Sequence, residues 1–182
     1  MGERVVTRGK GAGGKKTNVH GLGYEKLTDL TDKLETVKKI KHGKMIKFED
    51  SEKEFLMTRQ SSFFKCMGKY SDSKIKKAHG CKNPDECYID PESKVIFIIE
   101  KKFQQTSGSV CEKIQTPDFK IWQYSRTFPD FKVVYVYCLS KWFQTNCEAE
   151  LEYLEYRKIP IFWGNSETYK EEIIKFITSY ER

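Results

Sequence analysis

The sequence lacks the features that mark a membrane-spanning or secreted protein. Its longest uninterrupted apolar run is Val95–Ile99, far short of the roughly 20 apolar residues that a membrane-spanning helix needs. The first residues contain no basic stretch followed by an apolar one, so no signal peptide is expected. None of the six cysteines forms a CxxC pair, and no extracellular disulfide framework is indicated. We therefore expect a cytoplasmic protein that does not associate with membranes.

Motifs for several other functions are incomplete. The segment Gly9–Lys15 nearly matches a phosphate-binding P-loop, but Lys16 stands where a Ser or Thr that holds Mg²⁺ is required. The three histidines form no HxxH or HNH-like cluster. His79, Cys81 and Cys87 lie close together in the chain, but their spacing matches no structural zinc motif, so free thiols are the simpler interpretation.

Composition indicates a folded, basic protein. Aromatic residues make up 14% of the 182 residues, which supplies a core and excludes a disordered chain. Residues 1–18 are rich in glycine and basic residues and predict a flexible arm, and residues 19–182 are expected to form a single domain. The net charge of +7 favours partners that carry phosphates.

The pattern of apolar residues predicts an α/β fold. Leucines at 27, 30 and 34 and a valine at 37 predict an amphipathic helix from Leu22 to Ile40. Strands interspersed with covering helices indicate a mixed β-sheet between helices. The other predicted elements are strands at 45–48, 85–89, 94–103, 133–139 and 159–163, and helices at 63–67, 110–115, 117–126, 143–154 and near 173–180.

A β hairpin is the clearest local signal. The residues Asp90-Pro91-Glu92-Ser93 are turn formers between two strand-like segments. With this turn, Ile89 faces Lys94, and Asp85 faces Ile98. The register can therefore be used to find the residues that share a face of the sheet.

On this register, Asp85, Glu100 and Lys102 lie on one face. Asp85 and Glu100 become diagonal neighbours, roughly 7–8 Å apart at Cα. Two carboxylates at that separation can hold Mg²⁺ between them, and Lys102 can stabilise charge that develops on a phosphate. Gln104 lies one step further on the same face. Charged residues at strand ends are usually only solvated, but these follow a buried-type apolar run.

The same residues resemble a known nuclease motif. Pro84-Asp85, 14 intervening residues and then Glu100-Lys101-Lys102 resemble the PD-(D/E)xK motif of restriction-endonuclease-like nucleases. The segment IFIIEKKFQQTSGSVCEKIQT, residues 96–116, is similar to the catalytic strand and following segment of type II restriction endonucleases. The segment GAGGKKTNVHGLGYE, residues 11–25, resembles the start of proteins of that group.

The resemblance implies a restriction-endonuclease-like mixed β-sheet flanked by helices, with a metal-dependent nuclease site. Asp85 and Glu100 would hold Mg²⁺, and the backbone carbonyl of Lys101 would be a further ligand. Lys102 would position the attacking water. Glu25, in a Gly-x-x-Tyr-Glu sequence, would complete the metal shell, with a solvated acidic helix face as the alternative. The products would carry a 5′-phosphate and a 3′-hydroxyl.

DNA contacts are expected from two segments. The loop that follows the catalytic strand often contacts DNA in this family, and Gln and Ser side chains can bind base edges. The Gln and Ser residues of this loop are equally explained as polar residues that keep the loop soluble. The second segment is the basic N-terminal arm, for which disorder is the alternative explanation. The candidate DNA-binding residues are Gln104, Gln105, Ser107, Ser109, Lys113, Lys15, Lys16 and Asn18.

The function expected from the resemblance is that of a type II restriction enzyme, which cuts a short palindromic site in double-stranded DNA. Because a chain of this size carries one active site, cutting both strands requires a two-fold homodimer. A companion DNA methyltransferase is an expected partner, in a bacterial, phage or viral host cell. The alternatives are a Holliday-junction or repair nuclease with the same metal site, and a DNA-binding module without catalysis.

Overall fold

The computed structural model describes residues 15–72, 75–106 and 111–182, with side chains from Gly21 onward. Ser107 and Ser109 lie outside these ranges, as do the first 14 residues of the predicted arm. Residues 15–18 of that arm belong to a helix. Within the described ranges, no helix has the length and apolar character needed to cross a bilayer.

A seven-stranded mixed sheet forms the centre of the molecule, and its strands lie side by side in chain order. The first five strands pair antiparallel, and the last three pair parallel. The predicted α/β class with a mixed sheet is thus confirmed. The strands are β1 (Leu34–Ile40), β2 (Gly43–Phe48), β3 (Glu54–Thr58), β4 (Glu86–Asp90), β5 (Val95–Lys102), β6 (Lys132–Leu139) and β7 (Ile161–Trp163).

Helices cover both faces of the sheet and bury two apolar cores. One core packs the sheet against the first and last α-helices, and the other packs it against the four α-helices between them. Two short 3₁₀ helices, Thr31–Lys33 and Cys111–Ile114, lie in the connections. The α-helices are α1 (Lys15–Leu27), α2 (Ser62–Met67), α3 (Pro117–Thr127), α4 (Trp142–Asn146), α5 (Glu148–Tyr156) and α6 (Tyr169–Thr178).

The predicted helix from Leu22 to Ile40 is wrong. Helix α1 ends at Leu27, and residues 34–40 form the edge strand β1. The helical spacing arose because Leu30 is buried in the turn between these elements, while Leu27 and Val37 are exposed. Strand β1 is exposed along most of its length, so it carries no alternation that would have indicated a strand. Strand β3 was not predicted at all.

The helix predicted over residues 143–154 is divided in two at Cys147. This residue ends α4, precedes α5 and has a non-helical backbone, with φ of −136° and ψ of 48°. It also forms a disulfide with Cys111, which the absence of short cysteine spacings did not indicate. The free-thiol interpretation made for Cys81 and Cys87 is confirmed, because neither takes part in this disulfide. The other cysteines are free and buried, namely Cys66, Cys81, Cys87 and Cys138.

The disulfide is expected to stabilise the domain. It joins residues 36 positions apart, and closing a loop of this size in the unfolded chain contributes about 2–4 kcal/mol. We expect dithiothreitol to lower the free energy of unfolding by that amount in urea titrations. The double variant Cys111→Ala/Cys147→Ala should have the lower stability and should not respond to dithiothreitol. An oxidised and a reduced protein of equal stability would contradict the prediction.

Candidate active site

The turn between β4 and β5 lies one residue later in the chain than predicted. Asp90 belongs to β4 and pairs with Val95, whereas the predicted turn placed Ile89 opposite Lys94. The Asp90 carboxylate accepts hydrogen bonds from two N–H groups of the turn, at 3.0 Å each. Lys94 has a left-handed backbone, with φ of 54°. The hairpin is confirmed, but its register is shifted by two positions.

The observed register brings two carboxylates opposite each other. One step beyond the last pair of the ladder, Asp85 lies opposite Glu100 rather than opposite Ile98. A shift of two positions preserves the face on which each side chain lies. Asp85 and Glu100 therefore share a face as predicted, but they are closer neighbours than the predicted diagonal pair.

Glu100 is held between two lysines. Its side chain is 13% exposed and forms ion pairs with Lys102 and, at 3.0 Å, with Lys120 of α3. Burial raises the pKa of the Glu100 carboxyl, but the two ammonium groups outweigh it and hold the pKa below its usual value. Lys120 also donates a hydrogen bond to the Tyr135 hydroxyl at 3.0 Å. No local sequence feature singles out Lys120, because only the packing of α3 brings it here.

Asp85 has the opposite electrostatic environment. It is half-buried and accepts a hydrogen bond from the backbone N–H of Lys101 at 3.0 Å. Within the described ranges it forms no ion pair. Burial, followed by the neighbouring Glu100 carboxylate, raises the pKa of Asp85 above its usual value. Of the two facing carboxylates, one is neutralised by lysines and the other lacks a cationic partner.

The raised pKa of Asp85 leads to a prediction for the metal-free protein. Between the unfolded and folded pKa values, the native state binds more protons, so the free energy of unfolding falls as pH rises through that window. At neutral pH the ionised carboxylate is thus destabilising. We expect Asp85→Asn to raise the thermal unfolding temperature at pH 7 in EDTA. The difference from wild type should disappear as the pH falls below the unfolded pKa.

Asp118→Asn serves as the matched control for that measurement. A hydrogen bond from Arg157 lowers the pKa of Asp118, so its ionised form is favoured in the folded state. Its contribution is present above the unfolded pKa and is lost as pH falls through the folded pKa. This variant should therefore be the less stable one at pH 7. An Asp85→Asn variant that is also less stable than wild type at neutral pH would contradict the assignment.

Lys101 points to the opposite face of β5 and fixes helix α1. Its side chain is only 4% exposed and lies 2.6 Å from the Glu86 carboxylate. Its ammonium group also donates to the backbone carbonyls of Thr28, at 3.0 Å, and Glu25, at 3.5 Å. Lys101 thus connects the strand of the site to the end of the helix that carries Glu25. Its carbonyl as a metal ligand remains a prediction.

Glu86 is the centre of a buried polar network that the sequence did not indicate. It accepts hydrogen bonds from Arg59, at 3.1 Å, and from the Tyr88 hydroxyl. Arg59 also binds both oxygens of Asp29, at 2.7 and 2.9 Å. These residues come from separate segments of the chain, and only the sheet brings them together. The local sequence points to the network in one respect, which is that Glu86 directly follows the candidate ligand Asp85.

Glu25 lies near the two facing carboxylates without joining them. Its side chain is exposed, and its charge contributes to the raised pKa of Asp85. Within the described residues, the oxygens of Glu25, Asp85 and Glu100 do not all lie within 4.8 Å of one another. Glu25 therefore stays a predicted third ligand, on a helix that Lys101 holds in place.

Three of the predicted DNA-binding residues have described side chains, namely Gln104, Gln105 and Lys113. The side-chain amide of Gln104 donates to the backbone carbonyl of Thr106 at 2.6 Å, which stabilises the loop. Gln105 and Lys113 are exposed. The rest fall outside what is described, because Ser107 and Ser109 lie beyond the described ranges and only the backbone is described for Lys15, Lys16 and Asn18.

A cysteine-based metal site is not supported in the described part of the chain. There, the one group of His, Cys, Asp and Glu side chains with ligand atoms close together is Cys111, Cys147 and Glu150. Its two sulfurs are joined in the disulfide, so they are not available as thiolate ligands. The carboxylates of β4 and β5 remain the stronger candidates for binding a cation.

No protein-family model, curated protein or solved structure matches this chain. The functional interpretation therefore depends on the chain itself. The chain forms an α/β fold with a seven-stranded mixed sheet. At the site, two facing carboxylates meet two lysines at the end of strand β5.

Proposed function

We propose that the protein is a Mg²⁺-dependent DNA endonuclease of the PD-(D/E)xK type with a restriction-endonuclease-like fold. The observation that carries the proposal is the placement of Asp85 opposite Glu100, with Lys102 two residues further along the same strand. Asp85 forms no ion pair in the described ranges, so the pair can accept a cation. Among such enzymes, a type II restriction enzyme that cuts a short palindromic site is the form that the sequence favours.

The donor set is suited to Mg²⁺. Hard carboxylate and carbonyl oxygens are the ligands that this ion prefers, together with waters. Asp85 and Glu100 would hold it, with the Lys101 carbonyl and Glu25 as further ligands. When bound, Mg²⁺ neutralises charge and polarises the phosphodiester. Burial and then the neighbouring Glu100 carboxylate raise the pKa of Asp85, and a cation between the two carboxylates would favour their ionised forms.

The lysines supply the positive charge that the reaction needs on the protein side. Lys102 would orient the attacking water through its ammonium group, and Lys120 would stabilise the charge of the phosphate. The water oxygen forms a new bond to phosphorus while the bond from phosphorus to the 3′ oxygen breaks. The water gives up a proton and the 3′ oxygen gains one, which leaves a 5′-phosphate and a 3′-hydroxyl.

The remaining parts of the proposal follow from the substrate. A net charge of +7 favours binding to a phosphate backbone. One site per chain requires a two-fold homodimer to cut both strands of a palindrome. A cytoplasmic location and a companion DNA methyltransferase belong to the same proposal, since host DNA of the same sequence would need protection.

The first experiment incubates the purified protein with unmethylated phage DNA, with Mg²⁺ and with EDTA. Discrete fragments that appear only with Mg²⁺ are expected, and sequencing their ends gives the site and the stagger. A smear would contradict site specificity, and fragments in EDTA would contradict metal dependence. Intact DNA would contradict a restriction enzyme, and branched substrates then test the structure-specific alternative. Independently of activity, Mg²⁺ should raise the thermal unfolding temperature, because it binds the folded state.

A further inference from the structure

Two aromatic rings lie on the outer face of α3, the helix that also carries Lys120. Phe119 and Trp122 are 59% and 50% exposed, and their rings stack with centroids 5.7 Å apart and planes inclined by 28°. The Arg126 guanidinium lies 4.9 Å from the centroid of the Trp122 ring. We call Phe119, Trp122 and Arg126 the aromatic patch. Large apolar side chains left together at a surface mark a site of interaction.

A basic loop connects the aromatic patch to the site. Residues 75–84 include three exposed lysines and no acidic residue. The loop is fixed against α3, because the Tyr124 hydroxyl donates to the Lys82 carbonyl at 2.9 Å. It leads directly into Asp85. Positive charge therefore lies along the helix that carries the aromatic patch and continues in the chain up to Asp85.

We propose that the aromatic patch stacks on an extrahelical nucleobase in duplex DNA, while the basic loop binds the adjoining phosphates. Every base has a π-face that can stack on an aromatic side chain, and arginine adds a cation–π contribution. Lys120 of the same helix binds Glu100, so one helix carries both the aromatic patch on its outer face and a lysine of the proposed site on its inner face. This proposal takes its ligand from the proposed nuclease function.

Charge argues against a second copy of the chain as the occupant of the aromatic patch. Two copies that met through this face would bring Arg126 and the exposed lysines of both basic loops together, and like charges disfavour such an interface. A phosphate backbone is complementary to the same surface. Nucleic acid is therefore the occupant that the charges favour.

The test measures binding in EDTA, so that no cleavage is required. Fluorescence anisotropy would compare a fully paired duplex with a duplex that carries a one-nucleotide bulge. Because the bulged base is already partly unstacked, we expect the wild-type protein to bind the bulged duplex about 10- to 100-fold more tightly. The double variant Phe119→Ala/Trp122→Ala should lose this preference. Trp122→Phe, which keeps an aromatic ring, should retain most of it.

Tyr156→Ala is the control, because Tyr156 is an exposed aromatic residue on another helix, α5. It should leave both affinities unchanged. Equal weakening of both duplexes in the double variant, or no weakening, would overturn the proposal. A change in oligomeric state in sedimentation would also overturn it, since the patch would then join copies of the chain. Loss of the bulge preference in a protein that never cuts DNA would contradict the nuclease proposal alone.

Discussion

Glu100→Gln is expected to lower the Mg²⁺-dependent rate of DNA cleavage at least about 10³-fold, equivalent to about 4 kcal/mol of transition-state stabilisation. The change removes the charge of a proposed metal ligand and keeps the size of the side chain. It also removes the charged partner of Lys102 and Lys120, and Lys120 keeps its hydrogen bond to the Tyr135 hydroxyl. Single-turnover cleavage rates measure the effect, and circular dichroism checks that the fold is unchanged.

The matched control is Glu112→Gln, the same substitution at an exposed glutamate. It should cut DNA at the wild-type rate. Glu100→Gln should still bind DNA, but Mg²⁺ should no longer raise its unfolding temperature, because the metal has lost a ligand. A cleavage rate close to that of wild type in Glu100→Gln would rule out this site. If Glu100→Gln loses the circular dichroism signal of the folded protein, Lys102→Met is tested in its place and should also abolish cleavage.

Lys101→Met is expected to cost about 3–5 kcal/mol of folding free energy, the amount lost when one partner of a buried ion pair is removed. Lys101 and Glu86 are 4% and 2% exposed, so the remaining carboxylate stays away from water. The variant also removes a donor to the last carbonyls of α1. Urea unfolding measures the loss. Lys102→Met, the same change one residue later, should cost far less, because Glu100 keeps Lys120.

A double variant separates the loss of the ion pair from the loss of packing. Glu86→Gln combined with Lys101→Met removes both charges, so it should be more stable than the sum of the two single changes predicts. The two substitutions will not compensate for each other fully, because Arg59 also binds Glu86. Equal costs for Lys101→Met and Lys102→Met, or strict additivity in the double variant, would contradict the assigned roles of the two lysines.

Features that depend on neighbouring residues were predictable from the sequence. The hairpin, strand β6 and helix α3 follow from turn residues, an apolar run and a proline at the first helical position. The sharing of a face by Asp85 and Glu100 was also predictable, because an error of two positions in register leaves the face unchanged. The exact register was not, because Asp90 contributes its side chain to the turn while its backbone remains in β4.

Features that depend on distant segments could not be predicted. Lys120 reaches Glu100 only because α3 packs on the sheet, and Arg59 meets Glu86 only because β3 pairs with β4. The Cys111–Cys147 disulfide likewise connects elements with no shared sequence signal. In the segment 22–40, the leucine spacing predicted one long helix that does not form. One leucine is instead buried in a turn, and the next residues form an exposed edge strand.

Strand β5 has an antiparallel neighbour on one side and a parallel neighbour on the other. Its backbone amides therefore exchange with solvent slowly, since both adjacent ladders must open first. Edge strand β1 can detach without disturbing them. Glu100 and Lys102 directly follow the doubly paired part of β5 and remain paired with β6, so they are expected to open later than the edge strand. The arrangement of Glu100 and its lysine partners should thus persist when only the edge of the sheet opens.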